Sequence, residues 1–304
     1  MTPPTASSPV PAILMMLLGV SILPISDAAA KFLAASLPLL QVAWARYFFH
    51  LVATLPFILA RHGLRALWPP SPWLQLLRGA LLLCSTTCFY AGLRYLPLAD
   101  CVAVLFVAPL FVTVVAPFVL GEKVGIRRYL AAAVGFAGAL VIIRPGGETT
   151  GWAALFPLVS GFCYGSYILA TRKLAGSAPA AVTLAYTALI GAGALSLALP
   201  VVWQAPTIEQ IFIMLVLGPW AAIGHYLLIS AHERAPASLL APFQYWQIVV
   251  SVGLGFLLFG DFPDRWTAIG ATIVILSGIY VTLREQKLAR ERQRAAAQAR
   301  AGAV

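Results

Sequence analysis

Residues 92–143 read GLRYLPLADCVAVLFVAPLFVTVVAPFVLGEKVGIRRYLAAAVGFAGALVII. Two apolar blocks flank a short charged turn, Gly121-Glu122-Lys123. At ~1.5 Å per residue, about twenty residues cross a bilayer core of ~30 Å, and each block is about that long. The plan returns at residues 233–281, ERAPASLLAPFQYWQIVVSVGLGFLLFGDFPDRWTAIGATIVILSGIYV. Pro97 answers to Pro236, Gly121 to Gly260 and Glu122 to Asp261, each 139 residues further on. The chain is written twice, and both copies are apolar enough to lie in lipid.

The totals agree. Of 304 residues, 61% are hydrophobic and 10% charged. Soluble domains run at roughly 45–50% and 25%. A soluble fold has no place to hide that much apolar surface, so lipid covers part of it. The net charge of +10 is no nucleic-acid signal, because the basic residues lie in turns and the tail. Cys84, Cys88, Cys101 and Cys163 fall in apolar runs without metal or disulfide spacing. They read as small packing residues. Neither a metal nor an organic cofactor is expected.

Residues 1–11 lack the basic start of a signal peptide and read as a disordered lead-in. The spans are placed at 12–35, 39–60, 73–96, 98–119, 127–144, 151–171, 179–200, 207–230, 236–259 and 265–284, separated by Pro, Gly or charge clusters. With the N-terminus cytoplasmic, fourteen of the Lys and Arg residues fall in inner loops and the tail, and three in outer turns. That asymmetry favours both termini inside. Five spans per half is an odd number, so the second half enters the membrane upside down. The expectation is an all-α integral membrane protein of ten transmembrane helices, built as two inverted five-helix repeats at 12–144 and 151–284. A basic cytoplasmic tail follows at 285–304. In such architectures the substrate site lies near the midplane, where the halves meet.

The motifs GLRYLPLAD, VAPLF, LGEKV and GFAGALVII in the first copy, with ERAPASL, LFGDF and IGATIVILSGI in the second, resemble the EamA-type repeat of the drug/metabolite transporter superfamily. Trp44-Ala45-Arg46 also resembles that family's arginine near the same place. The resemblance covers residues 12–284. One departure is Pro109, whose partner in the second copy is Ile248. The resemblance implies a ten-helix carrier in a bacterial inner membrane, working by alternating access. It further implies export of small amphipathic metabolites, with amino acids, aromatic ones among them, first in line. The partners implied are a small-molecule substrate and the lipid bilayer, with no nucleic acid; a monomer suffices for transport, and a dimer is left open.

Charge inside a membrane is costly, so it marks candidate sites. Asp27 and Lys31 share one face of the first span and are expected to pair, or Asp27 to bind a substrate amine or exchange a proton. Pro24 weakens that helix, which brings Ser26 into question as a polar contact. Arg46 reads as a structural tie between helices, the alternative being a hold on a substrate carboxylate. Ser85 and Phe89 come from the third span. The 139 offset sets Thr86 and Thr87 against His225 and Tyr226 of the eighth, and Phe106 against Tyr245. Tyr164 and Tyr167 lie on the sixth span, and Gln244, Tyr245 and Trp246 about ten residues into the ninth. Their rings suit a ligand with an apolar body and a charged end. The substrate set is therefore Ser26, Asp27, Ser85, Phe89, Phe106, Tyr164, Tyr167, His225, Tyr226, Gln244, Tyr245 and Trp246. Glu122 and Asp261 read as turn carboxylates that cap a following helix. Two rivals are a sugar-phosphate or nucleotide-sugar carrier, which needs several cations in its cavity, and a membrane enzyme acting on lipids, which needs clustered acids or histidines.

Overall fold

The computed structural model describes residues 10–63, 71–121, 125–144, 152–174, 179–235 and 237–301, and the regular elements among them are all helical. The first half holds α1 (Val10–Ala34), α2 (Leu39–His62), α3 (Pro72–Leu93), α4 (Leu98–Leu105), α5 (Val107–Leu120) and α6 (Ile126–Ile143). The second holds α7 (Leu155–Lys173), α8 (Ala180–Val202), α9 (Ile208–Arg234), α10 (Ala237–Gln244), α11 (Trp246–Phe259) and α12 (Arg265–Ala301).

Local chemistry sets the ends. Pro38, Pro97 and Pro179 precede α2, α4 and α8 with φ of −58°, −54° and −57°; proline's ring holds this value without cost. Thr207 opens α9 with a capping box. Its hydroxyl accepts from the Gln210 N–H, and the Gln210 side chain accepts from the Thr207 N–H. Gly121 and Gly260 close α5 and α11, both at φ 70°. This left-handed turn costs glycine little and other residues more. The offset noticed in the sequence thus marks one backbone device used twice. Glu122, its Lys123 neighbour and Pro236 lie outside the described residues. The capping role expected of Asp261 falls to Asp264, whose carboxylate accepts the Thr267 N–H at 2.9 Å.

The fourth and ninth spans are not single helices. Each is broken in the middle, at Phe106 between α4 and α5 and at Tyr245 between α10 and α11, again 139 residues apart. Pro109 has no N–H for the Leu105 carbonyl, which accounts for the first break. The second break has Pro242 three residues before it instead. The two breaks meet: the Phe106 and Tyr245 ring centroids are 5.0 Å apart.

The main pairings follow the repeat. α1 packs chiefly on α9, and α3 on α7. Under the offset α1 corresponds to α7 and α3 to α9, so these are one contact made twice. α2 packs on α8 and α6 on α12, each helix against its own counterpart. The halves interleave rather than sit side by side. The small faces of α6 and α12 serve this packing within one chain: a Cβ on Gly270 would lie 2.6 Å from the Gly138 carbonyl oxygen.

Nine spans among the described residues are long and apolar enough to cross a bilayer. The remaining one, α7, is 19 residues long but carries Ser160, Tyr164, Ser166, Tyr167 and Thr171. The tail continues α12 as helix through Ala301, 37 residues in all. That length exceeds the ~20 residues a membrane core needs, so the helix runs on beyond it.

Candidate functional site

A cavity of about 910 Å³, its mouth included, lies among α1, α2, α3, the two broken spans, α7 and α9. On α1 its wall runs from Asp27 back to Val20, on α7 from Ser160 to Ile168, and on α9 from His225 to Leu228. It therefore extends from mid-bundle toward the face where α1 begins and α7 and α9 end, called here the near face.

The polar end of the cavity is built around Arg46. Its Nη1 donates to the Tyr90 hydroxyl at 2.9 Å and to Asp27 Oδ1 at 3.4 Å. Its Nη2 lies 3.4 Å from His225 Nε2. Guanidinium has no acceptor, so Nε2 accepts and the His225 imidazole is neutral with its proton on Nδ1. Arg46 thus ties α2 to α1, α3 and α9, and it also stands in the cavity wall. The sequence favoured the structural part over a hold on a substrate carboxylate. The expected Asp27–Lys31 pair is not formed: Asp27 turns to Arg46, and Lys31 bonds Asp261 Oδ2 at 2.5 Å. The four-residue spacing is right for pairing, but each side chain finds a partner on another helix.

The remaining wall is hydroxyl and aromatic. Ser85 Oγ stands 3.0 Å from both Ser160 Oγ and the Ser160 carbonyl oxygen, joining α3 to α7. The Thr86 hydroxyl meets the Tyr47 hydroxyl at 2.9 Å. Phe89, Phe106 and Tyr164 give flat surfaces, and Gln244 and Gln247 close the side formed by α10 and α11.

Of the sequence-derived set, Asp27, Ser85, Phe89, Phe106, Tyr164, His225 and Gln244 line this cavity. The other five lie elsewhere. Ser26 is buried and bonds the Leu217 carbonyl at 3.1 Å. Tyr167 stacks on Tyr164 and accepts from Arg78 at 3.1 Å. Tyr245 is buried behind Phe106. Tyr226 and Trp246 are exposed, Trp246 donating to Ser21 Oγ at 3.1 Å. Tyr226 is rotated by ~100° from its neighbour His225 on α9, and that rotation turns it to the exposed side. Arg46, Thr86, Tyr90, Ser160 and Gln247 were missed as wall residues. The offset pairing of Thr86 with His225 was a usable signal, since both stand in the wall.

Arg78, the other deep cation, is buried and occupied. It donates to Gln75, Tyr167, the Thr183 carbonyl and Thr187. Among the described residues no cluster of three His, Cys, Asp or Glu side chains is arranged to hold a metal ion.

The EamA-like transporter family model matches residues 10–144 and again 151–284. The chain belongs to that family. It is a multi-pass membrane transporter and not an enzyme, as its relatives are. It is 32% identical over 257 residues to a riboflavin transporter of Rhizobium johnstonii, covering 84% of each chain. It is 27% identical to an S-adenosylmethionine uptake transporter of Rickettsia bellii, covering 86% of this chain and 90% of the other. A pseudopaline exporter of Pseudomonas aeruginosa is 24% identical over 84% of this chain and 90% of its own. A crystal structure at 18% identity superposes with a TM-score of 0.65, over 91% of this chain and 98% of that one, a likeness of fold.

Proposed function

We propose that this EamA transporter carries a small amphipathic solute with a planar body and an amine-and-carboxylate head, amino acids and their derivatives being the leading class. The carrying observation is the Asp27–Arg46 pair at 3.4 Å in the wall of an otherwise hydroxyl and aromatic cavity. One anion and one cation side by side match both charges of a zwitterion, the amine at Asp27 and the carboxylate at Arg46. Phe89, Phe106 and Tyr164 would take the apolar body. The names of the relatives fit this shape in part. S-adenosylmethionine joins an amino acid to a flat base, and riboflavin is a flat ring system with a polyol.

A riboflavin-like solute, uncharged at the head, is the second reading. The aromatic wall and the self-neutralised Asp27–Arg46 pair favour it. A sugar-phosphate gains no support, since among the described residues Arg46 is the one Lys or Arg lining the cavity and is already paired. Uptake and export both occur among the relatives' names, so direction is not inherited from them. We place the protein in a bacterial inner membrane with both termini inside, on the charge asymmetry of its loops.

Liposomes holding the purified protein and offered labelled phenylalanine, tryptophan, S-adenosylmethionine and riboflavin test the reading. Saturable flux of the first three, each competing with the others, is the expected result. Flux of riboflavin alone supports the second reading. Flux of none above protein-free liposomes overturns both.

A further inference from the structure

A second pocket, about 930 Å³ with its open space included, lies at the opposite end of the same helices, where α1, α3 and α11 end and α9 begins. Its charged lining is Lys31, Arg94 and Glu209. Arg94 and Glu209 are exposed to solvent, whereas the Lys31 side chain is 16% exposed.

The two pockets are close together. On α1 the main cavity ends at Asp27 and the second pocket begins at Lys31. One helical turn, ~6 Å, separates them. On α3 the interval is from Tyr90 to Leu93. The layer between holds Tyr90, Leu93 and Leu217, all buried, and the Ser26–Leu217 hydrogen bond. Above it Lys31 bonds Asp261 Oδ2 and, at 3.2 Å, the Leu96 carbonyl, and its ammonium sits 4.7 Å from the Phe259 ring centre. Lys31 therefore fastens α1 to the turn after α3 and to the end of α11. The Arg144–Asp264 pair at 2.5 Å fastens α6 to the turn before α12 on the same face.

We propose that the second pocket is a solute-binding station on the transport route, and that the Lys31–Asp261 pair is a gate latch, holding shut the layer between it and the main cavity. The station takes a solute with a carboxylate and an amine: the carboxylate replaces Asp261 at Lys31, with Arg94 beside it, and the amine faces Glu209. An ammonium this enclosed is costly without an anion, so a solute that supplies one lets Asp261 leave and the far face open. The solute chemistry rests on the function proposed above; the gate does not.

Two measurements separate them. The first needs no solute. Gln247, half-buried in the main cavity wall, is replaced by Cys in a chain whose four native cysteines are Ala, and a membrane-impermeant thiol reagent is applied to each face of oriented vesicles. Adding Asp261→Asn is expected to raise labelling from the Lys31 face about tenfold, while Asp261→Glu leaves it unchanged. Equal labelling from the near face in all three shows that the fold is kept. No gain with Asp261→Asn overturns the gate. The second measures labelled phenylalanine entering from each face. Glu209→Gln is expected to raise half-saturation severalfold from the Lys31 face only. No change, or an equal change at both faces, overturns the station. Absence of phenylalanine flux in the unmodified protein overturns the proposed solute class and the station's chemistry, and leaves the gate to stand or fall on the labelling.

Discussion

Arg46 holds three partners at once, which makes it both a tie and a wall residue. A buried ion pair loses about 3–5 kcal/mol when one partner is removed, because the other charge is left uncompensated. Replacing both by apolar groups of similar size is far milder. Asp27→Leu and Arg46→Met are each expected to lower the melting temperature in detergent sharply. The double variant is expected to recover half or more of that loss. Transport of the solute is expected to stay lost in all three. Recovered transport in the recovered double variant would show the pair to be structural alone.

At the scale of elements, the repeat becomes a set of helix crossings. Gly79 on α3 and Gly218 on α9 are 139 residues apart, and both sit where a neighbour comes very close. A Cβ on Gly218 would lie 2.3 Å from the His50 nitrogen and 2.7 Å from the Arg46 carbonyl oxygen, all backbone of α2. A Cβ on Gly79 would lie 2.6 Å from Ile190 Cδ1, the mobile end of a side chain on α8. Overpacking costs typically 1–3 kcal/mol, with rotation of a side chain the cheaper escape. Gly218→Ala is expected near or above the top of that range and Gly79→Ala near the bottom, read as the order of their melting temperatures. Gly218→Ala is also expected to weaken solute binding, since it displaces the backbone that carries Arg46. The helix breaks carry the same lesson. Pro109 is legible in the sequence, yet its partner Ile248 is not proline and the break recurs at the equivalent place, Tyr245. Packing of Tyr245 on Phe106 goes with a break that no single residue at that register dictates.

For the whole molecule, the odd number of spans per half implies antiparallel halves and an even total. Both termini are then expected on one side of the membrane. Epitope tags at the two ends, probed in intact and opened cells, are expected to become accessible together; a tag exposed at one end only would remove the inverted arrangement. The far face also carries a charge contact outside the bilayer core. Slight burial works against ionisation of Asp264, but the Thr267 N–H and Arg144 outweigh it and hold its carboxyl below the usual carboxylate range. A lowered value means that this contact is intact above the ordinary carboxylate range and is lost as pH falls through the lowered value. It is therefore in place at neutral pH.

The linear chain determined whatever depends on near neighbours and on solvent. Apolar runs of bilayer length fixed the spans, because lipid leaves a backbone few other ways to satisfy its polar groups. Gly121 and Gly260 fixed the two matching turns, because a left-handed cap favours glycine wherever the chain folds. Tertiary structure decided the pairing of charges and the lining of the cavity. Asp27 and Lys31 are one turn apart, yet the partner of Lys31 is 230 residues away. Which side of each helix faces inward depends on how the many similar apolar spans pack together. Electrostatic attraction falls with distance in space and not along the chain, so only the folded bundle could choose those partners.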